Sequence, residues 1–156
     1  MSRVTLNVQR KVEDDVSSEI ARNCLLTRTR QISRVLTAIY DEQLRPFGIN
    51  ACQFTLLVLI VEIGPLSRSD LGRKNFHDRS TLTRNLRPLI AQGLVSEGVP
   101  GSDGRSRALS LTEQGKTLLR SAASAWSAAQ MKGTALLGAV GANALMGMAS
   151  ELPRRT

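Results

Sequence analysis

Apolar positions recur with a helical period over most of the chain and with a strand period over one short stretch. From Ser18 onward Ile20, Cys24, Leu25, Ile32, Val35, Leu36, Ile39, Tyr40 and Leu44 fall at helical spacings, with Arg22, Arg28, Arg30 and Arg34 mainly between them. Pro46-Phe47-Gly48 stops this helix, because proline disfavours a helical residue before it and glycine relieves the turn. So long a helix exceeds what a small core needs, and part of its stripe is expected against a second subunit. Asn50 then offers a cap that Gln53 can answer, with Ile49 and Phe54 as the hydrophobic staple. The run T-L-L-V-L-I-V-E-I that follows is apolar nearly all round and predicts a buried helix, closed by Gly64-Pro65.

Ser67 repeats the start signal for a short helix from Arg68 to about Asn75, with Asp70 at its third position and Leu66 stapled to Leu71. A tight turn leads to Asp78, a good N-cap, and to a helix with Leu82, Leu86, Leu89 and Ile90 on one face. Ser80, Thr81, Thr83, Arg84 and Arg87 occupy the other face, and Gly93 ends the helix. Leu94–Val99 and Arg107–Thr112 flank a glycine-rich turn and predict a hairpin, in which Leu109 and Leu111 alternate as a half-buried strand should. Thr112 and Glu113 start a helix expected to reach about Leu137, with Leu118, Leu119, Ala122, Trp126 and Ala129 as its stripe. A last helix is expected from about Ala142 to Leu152, after a break marked by Gly138 and Gly141.

These elements predict a mainly α fold with a small β-wing, a winged helix-turn-helix with long flanking dimerisation helices. The chain reads as a single domain over 1–156. Residues 1–17 are expected to form a flexible arm, 18–48 and 113–152 the dimerisation helices, and 49–112 the winged-helix lobe.

Charge sharpens the picture. Lys plus Arg number 21 against 13 Asp plus Glu, a net charge of +8 that suits a polyanionic partner. A helix face of hydroxyls and guanidinium groups with no apolar residue cannot be core, but it can meet phosphates and base edges in a DNA major groove. Arg105 and Arg107 add charge to the hairpin directly after it. No unbroken apolar run reaches the roughly eighteen residues of a membrane span, and the N-terminus has no secretory pattern, so a cytoplasmic protein and no membrane contact are expected. Cys24 and Cys52 form neither a metal motif nor a disulfide framework. His77 is the only histidine, and no nucleophile–base pair, carboxylate dyad or phosphate loop is apparent. Neither enzymatic activity nor a cofactor or metal is expected.

With the helix-turn-helix, the wing and the long flanking helices in view, the chain resembles the MarR family of winged-helix transcription regulators from about Cys24 to Leu152. S-T-L-T-R at 80–84 and the wing residues Asp103, Arg105, Leu111 and Thr112 carry the resemblance. It implies a homodimer whose first and last two helices form the dimer layer, an operator with two-fold symmetry, and a pocket often filled by phenolic or aromatic acids. By motif position Ser80, Thr81 and Arg84 would read the major groove, Arg105 would enter the minor groove, and Asp103 would orient the wing. The full DNA-contacting set expected is Arg68, Ser69, Arg79, Ser80, Thr81, Thr83, Arg84, Arg87, Arg105 and Arg107, with Arg28 and Tyr40 as candidate ligand-pocket residues. Two features depart from the family pattern. The turn reads Asn75-Phe76-His77 where the family more often has apolar–Gly–apolar, and Pro88 falls inside the recognition helix, where a bend rather than a break is expected.

The resulting expectation is a sequence-specific DNA-binding transcriptional regulator, a ligand-responsive repressor acting as a homodimer on a pseudo-palindromic operator. One alternative is an architectural DNA-binding protein with little sequence preference. Another is a redox-sensing regulator using Cys24, since some peroxide-sensing members carry a reactive cysteine near the start of the first helix. Here Leu25 and Leu26 adjoin Cys24, only arginines such as Arg28 stand ready to lower its pKa, and both cysteines are expected as small buried hydrophobes.

Overall fold

The computed structural model describes residues 15–100 and 107–153. By their contacts the residues group into two compact units, Met1–Thr37 and Ala38–Thr156. The described part of the first unit is helical residues 15–23 (α1) and the beginning of α2 (Leu25–Leu44), which carries the chain into the second. The sequence predicts a flexible arm to residue 17 and one helix from Ser18; residues 15–17 are already helical, residues 1–14 of that arm lie outside the described residues, and the helix is interrupted at Cys24. Its N–H still donates to Ile20 O (2.9 Å), and Arg28 N–H donates to Cys24 O (3.1 Å). Val16, Ile20, Leu25, Leu26, Ile32 and Val35 are exposed.

In the second unit, a 3-10 turn at Arg45–Phe47 ends on Gly48, whose φ of 70° is the left-handed conformation a glycine accepts without strain. Helix α3 (Ala51–Ile63) opens with the reciprocal Asn50–Gln53 box the sequence predicts. It buries Gln53, Leu56, Leu57 and Ile60 but leaves Val61 and Ile63 exposed, so it is not covered on all sides as its composition predicts. Helices α4 (Arg68–Lys74) and α5 (Arg79–Ala91) follow, capped by Ser67 and Asp78. Strands β1 (Val95–Pro100) and β2 (Arg107–Leu111) pair antiparallel, Val95 with Leu111 and Glu97 with Leu109, with a register shift between Glu97 and Pro100. Leu66 adds a bridge to the other side of β2: Leu109 N–H donates to Leu66 O (2.9 Å) and Leu66 N–H to Leu109 O (3.4 Å).

The core gathers Leu44, Leu56, Leu57, Leu71, Leu86, Leu89 and Leu109, all fully buried, with Leu82, Leu94 and Val95 beside them. Truncating any one of these leucines to alanine should cost about 2–5 kcal/mol. Helix α6 (Glu113–Ser121) begins at Thr112, whose hydroxyl accepts from Gly115 N–H, and gives way to α7 (Ala123–Ser150) at Ala122. The sequence predicts no interruption there. Ala122 is fully buried with ψ of −4°, and the flanking bonds Ala122 N→Leu118 O and Trp126 N→Ala122 O, each 2.9 Å, keep the path nearly helical.

By length and composition Ala123–Ser150 is apolar enough to cross a membrane, which a search for unbroken apolar runs misses. Gly138 interrupts it with φ of 69° and ψ of 158°, where a break is predicted. The straight pieces on either side are about 22 and 18 Å long, short of a hydrocarbon core of about 30 Å. Backbone groups freed at such a break would have no partner in lipid. Met131, Leu136, Val140, Met146 and Met148 of α7 are exposed.

Candidate nucleic-acid interface

Helix α5 is amphipathic for the reason its spacing dictates. Leu82, Leu86 and Leu89 are buried, while Arg79, Ser80, Thr83, Arg84 and Arg87 are exposed and Thr81 is half-buried. The helix runs through Pro88 unbroken to Ala91 and closes on Gly93, with φ of 70°. Asp78 organises its first turn. One carboxylate oxygen, Oδ1, accepts from Ser80 N–H (2.9 Å), Thr81 N–H (2.9 Å) and the Ser80 hydroxyl (2.7 Å). The other, Oδ2, accepts from the Thr81 hydroxyl (2.7 Å). These donors, led by the Thr81 backbone N–H, hold the Asp78 carboxyl far below the usual carboxylate range. The Thr83 hydroxyl donates to Arg79 O (2.8 Å). Among the described residues Arg79, Arg84 and Arg87 make no side-chain hydrogen bond, so their guanidinium groups face solvent unpaired.

Helix α4 lies beside α5, with a short turn between them. A crevice of about 650 Å³ between the two is lined by Arg68, Ser69, Gly72, Arg73, His77, Arg79, Leu82 and Thr83. It brings together four of the predicted contact residues, Arg68, Ser69, Arg79 and Thr83. Arg68 differs from the others because its Nε donates to Glu97 Oε1 of β1 at 2.5 Å. That bond pulls the Glu97 carboxyl below its usual range, with burial opposing it and Arg107 contributing further, and raises Arg68. Arg73 is likewise paired with Asp70. The sequence reading did not bring out Glu97 or His77, which meet the site only through the strand pairing and the turn, nor Arg73, which lies one helical turn after Ser69 on α4 and which that spacing could have found.

Arg107 opens β2 and is exposed. Arg105 and Asp103 lie outside the described residues. Arg28 donates to Arg22 O and to Gln31 Oε1, and the Tyr40 hydroxyl donates to Gln130 Oε1. Neither Arg28 nor Tyr40 lines the crevice. Cys24 and Cys52 are both half-buried rather than buried. Hydrogen bonds from Thr27 lower the Cys24 thiol, a source of stabilisation that its apolar neighbours conceal, whereas burial and then Asp41 raise Cys52.

A helix-turn-helix followed by a two-stranded wing defines a winged-helix protein. A MarR family model matches residues 47–106. The transcriptional regulator MosR of Mycobacterium tuberculosis, solved in complex with DNA, is 33% identical, with a TM-score of 0.67 covering 83% of this chain and 97% of that one. A M. tuberculosis MarR family protein solved with salicylic acid is 26% identical, with a TM-score of 0.63 over 83% of this chain and 96% of that one. The organic hydroperoxide resistance transcriptional regulator of Bacillus subtilis is 34% identical over 86 residues, 55% of this chain and 58% of that protein. The chain belongs to the MarR family of winged-helix transcription regulators. Its matches to the curated relatives span 45%, 65% and 58% of their lengths, less than two thirds of each.

Proposed function

We propose that this chain is a sequence-specific DNA-binding transcription regulator, acting as a homodimer on a pseudo-palindromic operator. One observation carries the reading: α5 buries three leucines on one face and presents three unpaired guanidinium groups and three hydroxyls on the other. Such a helix is held rigidly from behind and equipped for phosphate and base-edge contact in front. The excess of basic residues over acidic ones supports it, as does the relative solved with DNA. Arg84 and Arg87 are assigned to bases or phosphates, Arg79, Ser69 and Arg107 to phosphates, and the wing-tip Arg105 to the minor groove with Asp103 orienting it. The paired Arg68 contributes through the Glu97 contact it holds.

In this reading 18–48 and 113–152 dimerise and 49–112 contacts DNA. Apolar side chains left exposed within each unit, Leu25 and Leu26 in one and Val140 in the other, supply the surface that a second copy would cover. The relative solved with salicylic acid supports a small aromatic acid as effector, and the relatives named are regulators rather than enzymes. A chromosomal operator places the protein in the cytoplasm. The test is selection of bound sequences from a random duplex pool at fixed salt. Arg84→Ala is expected to cost about 1–3 kcal/mol and relax one base position per half-site. Equal losses on selected and scrambled DNA would reduce Arg84 to a phosphate contact.

A further inference from the structure

A hydroxyl carries one proton and two lone pairs, so it can face a partner as donor or as acceptor. On α5 that freedom is gone. An ionised carboxylate only accepts, so the Ser80 and Thr81 hydroxyls must aim their protons at Asp78 Oδ1 and Oδ2. A backbone carbonyl only accepts as well, so the Thr83 hydroxyl must aim its proton at Arg79 O. All three hydroxyls therefore turn lone pairs outward. The outward donors of the helix are the guanidinium groups of Arg79, Arg84 and Arg87, which have no acceptor to offer.

We infer that Asp78 is a positioning residue that sets base specificity. By holding the hydroxyl protons of Ser80 and Thr81, it leaves these two hydroxyls of the first turn of α5 able only to accept outward, so that they select the exocyclic amine of adenine or cytosine. The inference rests on α5 being the DNA-reading helix. Phosphate oxygens, guanine N7 and O6, and thymine O4 are all acceptors. Opposite an outward lone pair, and near the Asp78 charge, each of them gains nothing and is repelled. Adenine N6 and cytosine N4 are the donors the major groove presents. The Ser80 and Thr81 hydroxyls are thus poor phosphate anchors and selective base readers. Guanine and phosphate fall to the arginines, which fork onto acceptor pairs.

The two oxygens of Asp78 differ in a way that makes the inference testable. Oδ1 carries three donors and Oδ2 only the Thr81 hydroxyl. In Asp78→Asn the remaining oxygen takes the three-donor place and keeps the helix cap, since asparagine caps as well as aspartate. The amide nitrogen then stands where Oδ2 was and donates to Thr81 Oγ1, turning that hydroxyl's proton outward. Ser80 is left as it was.

Selections from a random duplex pool are run with wild type, Ser80→Ala, Thr81→Val, Asp78→Asn and Arg84→Ala, each checked for wild-type circular dichroism. The positions whose preference collapses in Ser80→Ala and Thr81→Val are the ones those hydroxyls face. In wild type each should favour adenine or cytosine on the faced strand by about threefold to tenfold, the worth of one hydrogen bond. In Asp78→Asn the Thr81 position should shift further toward guanine or thymine than the Ser80 position does. Removing the charge strengthens phosphate contact on every sequence and eases base acceptors at both positions, so only a shift at the Thr81 position beyond that at the Ser80 position counts. Guanine or thymine at the Thr81 position in wild type would overturn the inference, as would thymine retained in Thr81→Val, the mark of a methyl contact. Thr81→Val weakening all sequences equally would also overturn it, and if Arg84→Ala still relaxes one position, the reading helix survives. If no α5 variant, Arg84→Ala included, alters the profile, the reading helix itself falls and the inference with it. Should Asp78→Asn fail to fold, the wild-type and Thr81→Val profiles decide by themselves.

Discussion

Phe76 is the one non-glycine among the described residues with a positive φ, 53°. It closes α4 with the same pair of bonds that Gly93 and Leu94 use to close α5. His77 N–H donates to Gly72 O (2.9 Å) and Phe76 N–H to Arg73 O (3.3 Å), the arrangement in which the residue past the cap turns left-handed. Gly93 meets that demand without strain, whereas Phe76 must bear a Cβ against its own carbonyl. The residue is 47% exposed, so about half of its surface is buried and offsets part of that strain. Phe76→Gly trades relief of the strain against lost burial and added chain entropy, and should change stability by no more than about 1 kcal/mol. Thermal unfolding at fixed protein concentration checks this, and a midpoint lowered by more than about 8 °C, as at a fully buried phenylalanine, would refute it. At Gly93 the helix end was legible, because glycine is the residue the geometry favours. At Phe76 it was not, because the geometry is imposed by the bonds around the turn against the preference of the residue that occupies it. The Thr27 support for Cys24 was hidden for a related reason, since it depends on where a neighbouring hydroxyl points.

Among the elements, the starts of α3, α4, α5 and α6 were the most legible feature, because an N-cap is a local device. Asn50, Ser67, Asp78 and Thr112 each accept a backbone N–H from the first turn, as their side chains and spacing predict. Interruptions inside long helices divide by cause. The break at Gly138 is written in the residue itself, but those at Cys24 and Ala122 are not. The approach of α6 to the end of α5 was also invisible. A Cβ built on Gly115 would stand 2.1 Å from Leu94 O, the carbonyl that also accepts from Thr112 N–H at 3.1 Å. Helix propensity alone would favour alanine there by about 1 kcal/mol. Backbone clash reverses the sign, and Gly115→Ala should cost about 2–3 kcal/mol, like other overpacked sites. The midpoint of chemical denaturation measures it. A stabilised Gly115→Ala would show that α6 can move away from Leu94 freely.

For the whole molecule, the legible signal was a surplus of apolar positions that the monomer's own core does not use. Val140 is 85% exposed and Leu136 56%, on a helix with few charges. Replacing both with aspartate should give a monomer by light scattering and weaken operator binding about a hundredfold, because two linked half-site contacts become one. A wild-type protein that is monomeric at micromolar concentration, free and with DNA, would remove the dimer from the proposal. The sequence did not show how firmly the wing is joined to the rest of the lobe. Leu66, just before α4, pairs with the fully buried Leu109 of β2, and Arg68, on α4 itself, grips Glu97 of β1. The base of the wing is thus the middle of a three-stranded patch rather than the edge of a hairpin. Freeing the amide hydrogens of Leu109 and Leu66 to solvent requires one shared opening, which also undoes the approach to α4. The helix-turn-helix and the wing base are accordingly expected to open as one foldon, with the amides of Leu66 and Leu109 losing hydrogen-exchange protection together.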